Sequence, residues 1–292
     1  NVETARSLVL QAQSSPSQGL WRVIVVEDAD RLGESGANAL LKAIEEPPEH
    51  TVWLLCAPSP EDMIATIRSR CRHLGLRIPT ASAVADLLVR EGVATPDVAL
   101  EAARAAQSHI GLARALARDP QMRERRRAII TAPASVRSVG EAVMAADRLL
   151  ETAKAQADAQ VSERNAREKA ELMRQLGMDE GESATKASRT MIRQLEEDQK
   201  RRSKRALTDA IDRALIDLLA IYRDVLMVQV GGDGELINTD LSDLVHEIAQ
   251  DSTPRQTLAR VDHIETARKR LVSNGNPLLV LEDMAISLRP QA

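Results

Sequence analysis

The residues best suited to phosphate chemistry lie between Thr66 and Cys71, where Ser69 and Arg70 are adjacent. A guanidinium is planar and permanently charged, and it can bind phosphate oxygens through two N–H groups at once. Arg70 is therefore the first candidate for a functional side chain. Without further context a surface arginine in a basic run is the better explanation, so its role depends on the elements around it. We expect Cys71 to fill core space and not to react.

A second candidate is a pair of carboxylates, Glu27 and Asp28. They follow residues 22–26, a short apolar run rich in β-branched residues that is typical of a strand buried on both faces of a parallel sheet. Solvated acids are common at the carboxyl end of such a strand, so the pair alone is ambiguous.

Strand and helix patterns alternate around these candidates up to about residue 79. An apolar stripe over residues 37–44 predicts a helix that the prolines at 47 and 48 stop. Further strands are predicted at residues 51–56 and 71–76, with a short helix from residue 60 to about residue 67 between them. This β-α-β-α-β order predicts a doubly wound α/β layer.

From residue 80 onwards only helices are predicted. A first short helix closes at Gly92, a second starts after Thr95, and a third spans residues 110–117, which together predict a small bundle. Beyond Ser135 long apolar stripes indicate packed helices, and a last helix runs from residue 277 to about residue 288.

Residues 151–205 are highly charged, poor in large apolar residues and interrupted by glycines within residues 177–181. Such a segment buries little surface of its own, so we predict an extended helical hairpin with a mobile tip. Basic runs at residues 123–127 and 200–205 could contact DNA phosphates. The acidic residues 196–198 precede the second run by about four positions, a spacing at which helical side chains can form ion pairs. This favours a solvated helix face over a DNA contact.

The composition limits the classes of function. With 292 residues, 43% of them hydrophobic, the chain is long enough for about two domains with cores. A net charge of −4 excludes a global basic field that would attract nucleic acid or acidic lipid. Two cysteines and five scattered histidines give neither a disulfide framework nor a metal-ligand spacing. A cytoplasmic location is the simplest expectation.

The order of motifs in the first part of the chain resembles that of the AAA+ clamp-loader subunits of bacterial DNA polymerase III. Each motif alone is weakly specific, whereas the ordered set is very specific. The motifs are the acidic strand end at 27–30, the helix motif at 38–42, the sequence EEPP at 45–48, the strand at 51–56 and the sequence TIRSRC at 66–71. In addition, residues 111–114 are similar to the sensor-2 element of the lid in this family.

The resemblance implies a mainly α protein with an α/β part. Residues 1–79 would be the C-terminal part of a AAA+ module with a partial doubly wound parallel sheet, in a chain truncated at its N-terminus. Residues 80–132 would form a three-helix lid. Residues 133–292 would form an α-helical collar domain, with residues 151–205 as a charged helical insertion.

The resemblance also implies roles for individual residues. Arg70, with Ser69 beside it, would be an arginine finger that reaches ATP bound in the neighbouring subunit. Glu27 and Asp28 occupy the Walker B position, but in the order Glu then Asp where the active pattern has Asp then Glu. Asp28 is shorter than the Glu of the active pattern, so its carboxylate would lie farther from the attacking water that this position polarises. A displacement of ~1 Å can lower the rate about a hundredfold. Arg114 could contact a nucleotide in its own subunit or be an ordinary surface arginine.

The sequence contains no glycine-rich phosphate loop that ends in Lys and Ser or Thr. Residues 57–59 also depart from the sensor-1 position, where the family commonly has Thr or Asn. We therefore expect this chain to bind no cofactor alone, with ATP and Mg²⁺ held by the neighbouring subunit. Two explanations for the missing loop stay open: it lies upstream of residue 1, or the subunit is nucleotide-silent, as delta-prime subunits can be.

The resulting hypothesis is a subunit of the delta-prime type that helps to load the sliding clamp onto primed DNA. Its partners would be the gamma/tau and delta subunits within a DNA-directed DNA polymerase, and the chain itself would not be an active ATPase. One alternative is a gamma/tau-type motor whose phosphate loop lies upstream of residue 1, and another is a helical scaffold with a AAA+ relic. For the insertion at 151–205, the hypothesis is a contact with another replisome component.

Overall fold

The computed structural model describes residues 2–14, 16, 19–176 and 186–289. The tip predicted within residues 177–181 lies outside these described residues. The chain divides into two compact units, Asn1–Arg77 and Ile78–Ala292, and each is described by itself.

Among its described residues, the first unit contains three α-helices and two strands. Its sheet is parallel, with Ile24 of the first strand opposite Trp53 of the second. The helices form a small apolar core with the inner side of the second strand. The elements are α1 (Val2–Gln13), β1 (Arg22–Val26), α2 (Glu34–Glu45), β2 (Thr51–Leu55) and α3 (Ala65–Arg68).

The helix predicted over residues 37–44 is confirmed as α2. Leu40 and Ile44 are buried in the core, 0% and 8% exposed, and the helix ends before the two prolines. The helix predicted from residue 60 to about 67 is wrong as a single element, because a 3₁₀ turn at Pro60–Asp62 precedes α3.

The sheet differs from its prediction in two ways. Only one face of it is buried: Val23 and Val25 are each 54% exposed, as is much of Leu54 on the same face. The strand predicted at residues 71–76 is wrong, because these residues are extended coil and Leu76 is 89% exposed. A strand requires a hydrogen-bonding partner, and the described part of the unit offers only β1 and β2. The fold class is therefore confirmed only as mostly helical with a small parallel sheet.

The second unit begins with three short helices, α4 (Ala81–Arg90), α5 (Pro96–Ala105) and α6 (Ile110–Arg118), as predicted. The Thr80 hydroxyl accepts a hydrogen bond from the backbone N–H of Ala83 at 3.2 Å and caps α4. Gly92 ends this helix region with a φ of +67°, a conformation that glycine adopts without strain. Small alanines let the three helices approach closely around Leu88 and Leu116.

Six further helices complete the described part of the second unit. Its main core joins them through aliphatic side chains, with Ile211, Leu215, Leu218 and Val225 at the centre. The boundary predicted between residues 132 and 133 falls inside the first of them. The helices are α7 (Pro120–Ser135), α8 (Val139–Gln175), α9 (Lys186–Gln229), α10 (Ser242–Asp251), α11 (Pro254–Val272) and α12 (Pro277–Ser287).

Helices α8 and α9 form the predicted hairpin. Near the core they pack through Ala153, Ala157, Val161 and Ala206, all of which are buried. Farther along, polar contacts from Gln199 and Arg202 to Asn165 also join the two helices, and no residue of the described arm belongs to the buried core. We call residues 162–176 and 186–205 the distal arm.

A polar network lies buried beside the core. The Arg126 guanidinium donates to the Asp217 carboxylate at 3.0 Å and to the side-chain oxygen of Asn238 at 2.5 Å. Asp224, fully buried, accepts hydrogen bonds from the backbone and side-chain N–H groups of Asn238 at 2.8 and 2.9 Å. The network thus joins α7, α9 and the segment before α10.

Candidate functional site

The acidic pair lies at the carboxyl edge of the two-stranded sheet. Glu27 is exposed and Asp28 is partly buried, with a left-handed backbone at φ 49° that Asp tolerates better than most residues. The strand pairing continues past both strands, because Cys56 donates its backbone N–H to Val26 at 2.9 Å and accepts from Ala29 at 2.8 Å. The ends of the two strands therefore meet at one edge, as in ligand-binding α/β sheets.

The residues after β2 do not supply a free polar group at this edge. The Ser59 hydroxyl donates to the Glu61 carboxylate and accepts from the backbone N–H of Glu61 at 3.3 Å. The hydrogen bond from Ser59 lowers the pKa of Glu61, which keeps the carboxylate charged. Ser59 is thus occupied as the cap of the following 3₁₀ turn and does not replace a Thr or Asn that reads a phosphate.

Arg70 follows α3 and is held by two other parts of its own unit. Its Nε atom lies 3.0 Å from Oε2 of Glu45, at the C-terminal end of α2. Its Nη1 atom donates to the backbone carbonyl of Thr66 at 2.9 Å and contacts the Ser69 hydroxyl at 3.4 Å. These contacts hold the guanidinium itself, through Nε and Nη1, while the side chain remains 34% exposed.

The ion pair between Arg70 and Glu45 is open to solvent, since the Glu45 side chain is 54% exposed. Exposed ion pairs contribute about 0–1 kcal/mol, because water competes for both partners. A phosphate carries more charge than a carboxylate and offers more acceptor oxygens. Arg70 could therefore exchange Glu45 for a phosphate at low cost, or bind one through its Nη2 group.

The neighbours of Arg70 have local roles. Ser69 is the C-cap of α3, where its hydroxyl donates to the carbonyl of Thr66 at 3.1 Å. The prediction that Cys71 fills core space is wrong, because this residue is exposed. Partial desolvation raises the pKa of its thiol, which disfavours the reactive thiolate. The predicted strand that would have buried it does not form.

Arg114 lies in the second unit, on α6. Its guanidinium forms a fork with the Glu91 carboxylate at the end of α4, with Nε and Nη2 each within 2.9 Å of a carboxylate oxygen. The two side chains are 33% and 36% exposed. Arg114 therefore joins α6 to the end of α4. Of the two roles predicted for it, this contact corresponds to an ordinary surface arginine.

The glycine pair at 33 and 36 does not form a phosphate loop. The glycines at 33 and 36 begin α2 and carry no following lysine, and Gly36 is buried inside the helix. No cluster of His, Cys, Asp or Glu that could hold a metal ion occurs among the described residues. The same part of the chain has no helix that is long and apolar enough to span a membrane.

The sequence did not reveal the role of Glu45. In the sequence it is the first residue of the motif at 45–48, and in the structure it binds Arg70 of its own unit. No local spacing could reveal this contact, since the two residues are far apart in the sequence. Their presence in two motifs of one ordered set was the available signal.

Comparisons with known proteins agree with this description of the first unit. The family described as DNA polymerase III, delta subunit matches residues 1–80. The gamma/tau subunit of Mycobacterium tuberculosis DNA polymerase III is 38% identical over 100 residues, 33% of this chain and 17% of that protein. The delta' subunit of Escherichia coli is 36% identical over 115 residues, 39% of this chain and 34% of that protein.

These alignments span about a third or less of the relatives' own length. The solved structure of the Bacillus subtilis DNA clamp loader delta protein aligns over 98% of this chain and 82% of that one. Its TM-score of 0.28 and 13% identity are too low to support a shared fold. Residues 1–80 are therefore similar to the delta' and gamma/tau subunits of DNA polymerase III, which supports a clamp-loader subunit of the AAA+ family.

Proposed function

We propose that this chain is a clamp-loader subunit of the delta-prime type, which donates Arg70 to an ATP site on a neighbouring subunit. The observation that carries the proposal is the position of Arg70. It follows α3 in a motif of the family, and its guanidinium is held by Thr66 and Glu45 while the side chain remains 34% exposed. A fixed and partly exposed guanidinium is suited to act across a subunit boundary.

The chemistry would be divided between two subunits. The neighbouring gamma/tau-type subunit holds ATP and Mg²⁺ and supplies the phosphoryl group that is transferred. Arg70 neutralises the charge that develops on the equatorial oxygens, which is an electrostatic task that needs no proton transfer. Glu45 positions Arg70 before the neighbour is present and releases it to the more highly charged phosphate.

The order of Glu27 and Asp28 and the occupied hydroxyl of Ser59 support a chain that does not hydrolyse ATP itself. Its contribution would be a rigid wall in an assembly with gamma/tau and delta subunits, which opens the sliding clamp and places it on primed DNA. A cytoplasmic location follows from this proposal.

Clamp loading by the reconstituted complex tests the proposal. We expect Arg70→Ala to abolish most ATP-stimulated loading, while Arg68→Ala, a neighbour that donates to the carbonyl of Pro60, loads like the wild type. Equal loading by both variants would remove Arg70 from the mechanism and favour a purely structural subunit.

A gamma/tau-type motor is the second candidate, because the gamma/tau subunit of M. tuberculosis is 38% identical over its aligned segment. A motor needs a carboxylate of the acidic pair to hold Mg²⁺, so Glu27→Gln with Asp28→Asn would abolish ATP hydrolysis in the complex. The delta-prime proposal predicts that the same double variant hydrolyses ATP at the wild-type rate. The ATPase rate of the reconstituted complex decides between them.

A further inference from the structure

The outer face of α9 carries four cations, Lys200, Arg201, Lys204 and Arg205, which we call the basic patch. All four are exposed. Residues 200 and 204, like residues 201 and 205, are four positions apart and therefore neighbours on the helix surface. Like charges at this spacing repel and destabilise a helix. An arrangement of this kind is relieved by a bound anion.

The acidic residues expected to neutralise the patch mostly bind elsewhere. Glu197 binds Arg193 at 3.2 Å, one turn before the patch, and Glu196 lies 4.0 Å from a lysine of α8. Within the basic patch, Asp198 binds Arg201 at 3.1 Å. Residues 196–198 were expected to pair with this basic run on a solvated face, and of the three only Asp198 forms an ion pair with it in the described part of the chain.

Arg202, inside the same basic run, has a different orientation. It points toward α8, where it donates to the side-chain oxygen of Asn165 at 2.7 Å and to Glu168 at 2.8 Å. Its side chain is 27% exposed. Arg202 thus holds the two helices of the arm together and orients the remaining cations outward.

Lysines of α9 and α11 have no carboxylate partner in the described part of the chain. Lys200 has no hydrogen bond or ion pair there, and the Lys204 ammonium donates to a neutral oxygen, that of Asn274, at 3.1 Å. Asn274 lies in the turn between α11 and α12, and Lys269 precedes it by about one helical turn, also without an ion pair among the described residues. The positive charge therefore extends from α9 to this turn.

The charge of the arm is opposite to that of the whole chain. The distal arm contains 12 Lys and Arg residues and 6 Asp and Glu residues, whereas the complete chain has a net charge of −4. Arg189 and Arg193 precede the patch on α9, with the acidic residues 196–198 in between, so that the cations from Arg189 to Arg205 span about 24 Å at 1.5 Å per residue. This length matches about seven phosphates of one DNA strand, far more than a single phosphate group occupies.

The arm has no group that could stack on a base, because residues 151–205 contain no Phe, Trp or Tyr. Binding to single strands commonly depends on such aromatic platforms. The chemistry available is the attraction of Lys and Arg for phosphates, which is strongest for the high charge density of a duplex.

We propose that the basic patch binds the phosphate backbone of duplex DNA without sequence preference. The inference rests on the proposed function for the identity of the polyanion, and it deepens that function by giving this subunit a DNA contact of its own. The arm would hold the duplex part of the primed DNA while the assembled complex acts on it.

The test is a fluorescence anisotropy titration of a labelled DNA duplex with this chain alone, over a series of salt concentrations. We expect Lys200→Gln with Lys204→Gln to bind more weakly and to reduce the slope of log K against log salt by about two, since each phosphate contact contributes about 0.9. Circular dichroism should show unchanged helix content.

The matched control is Arg164→Gln with Arg167→Gln, which makes the same charge change in the same arm. These two arginines bind Glu168 at 2.9 Å and Glu163 at 3.0 Å. The control should therefore keep the wild-type slope. An equal loss in both double variants, or no loss in either, would overturn the proposal, as would competition by polyglutamate that equals competition by unlabelled duplex.

The two proposals fail separately. The titration contains no ATP and no other subunit, so Arg70→Ala should bind the duplex like the wild type. A normal salt slope for Lys200→Gln with Lys204→Gln, together with defective loading by Arg70→Ala, would overturn the DNA contact and leave the proposed function intact. The reverse pattern would overturn the finger and leave the DNA contact.

Discussion

Arg126 and Arg70 each approach a carboxylate at 3.0 Å, but their surroundings differ. The side chains of Arg126 and Asp217 are 9% and 8% exposed, whereas those of Arg70 and Glu45 are 34% and 54% exposed. A buried pair cannot exchange partners without leaving a charge unsatisfied, while an exposed pair can. The buried pair of Arg126 and Asp217 therefore stabilises the second unit. The exposed pair of Arg70 and Glu45 leaves Arg70 available for another partner.

The largest effect is expected for Arg126→Ala. This change leaves Asp217 buried without its partner, and breaking a buried pair typically costs about 3–5 kcal/mol. Burial already raises the pKa of Asp217 despite Arg126, which indicates how poorly the site tolerates the charge. Urea unfolding should show the loss, with Arg125→Ala as the control, because Arg125 and Asp119 are about half exposed. Equal destabilisation by both variants would contradict the comparison.

The sheet offers a second contrast between buried and exposed positions. Ile24 is 8% exposed and Val25, next to it, is 54% exposed. We expect Ile24→Ala to lower the free energy of unfolding of the first unit by about 2–5 kcal/mol, and Val25→Ala to cost well under half of that. Denaturant unfolding monitored by Trp fluorescence gives both values. A cost for Val25→Ala as large as that for Ile24→Ala would mean that the outer face is covered in solution.

The distal arm should respond to acid in a predictable direction. Hydrogen bonds from Arg202 and then Arg164 lower the pKa of Glu168 below its ordinary value of 4.5. A lowered pKa means that the stabilising contact is fully present above the ordinary value and is lost as the pH falls through the lowered one. Hydrogen exchange in the arm, corrected for its intrinsic pH dependence, should therefore accelerate in acid.

The variant Glu168→Gln should produce the same loosening at neutral pH, because it removes the charge that joins α8 to Arg202 of α9. Glu163→Gln is the matched control, since Glu163 binds Arg167 within α8. Similar exchange rates in the two variants would show that the contact between the helices does not hold the arm together.

The smallest effect is expected for Glu45→Gln. The exposed pair with Arg70 contributes about 0–1 kcal/mol, and Arg70 keeps its hydrogen bond to Thr66. Chemical denaturation should find the free energy of unfolding nearly unchanged. A loss comparable to that of Arg126→Ala would mean that Arg70 serves the fold and is not available to a neighbour.

Local features of the fold could be predicted from the sequence, because their causes lie within a few residues. The apolar stripe of α2, the start of α5 after Thr95 and the start of α12 after Asn276 are examples. The strand predicted at residues 71–76 failed because a local pattern does not show whether a neighbouring strand is present. The role of Arg126 could not be predicted, since Asp217 and Asn238 lie 91 and 112 residues away.

The candidate site follows the same division. Arg70 and the acidic pair were found from an ordered set of motifs, and Ser69 does end α3. The contact of Arg70 with Glu45 and the exposure of Cys71 depend on how distant segments pack, which no local spacing encodes. The sequence alone could not show that Arg202 points toward α8 while Lys200 points away from it, because this depends on where α8 packs.

The most direct test of the central claim is the single-turnover rate of ATP hydrolysis at the site that adjoins this subunit in the reconstituted complex. The account predicts that Arg70→Ala lowers this rate on the order of a thousandfold, as for other arginine fingers, while Arg68→Ala does not. A wild-type rate with Arg70→Ala would contradict the claim that this guanidinium acts across the subunit boundary.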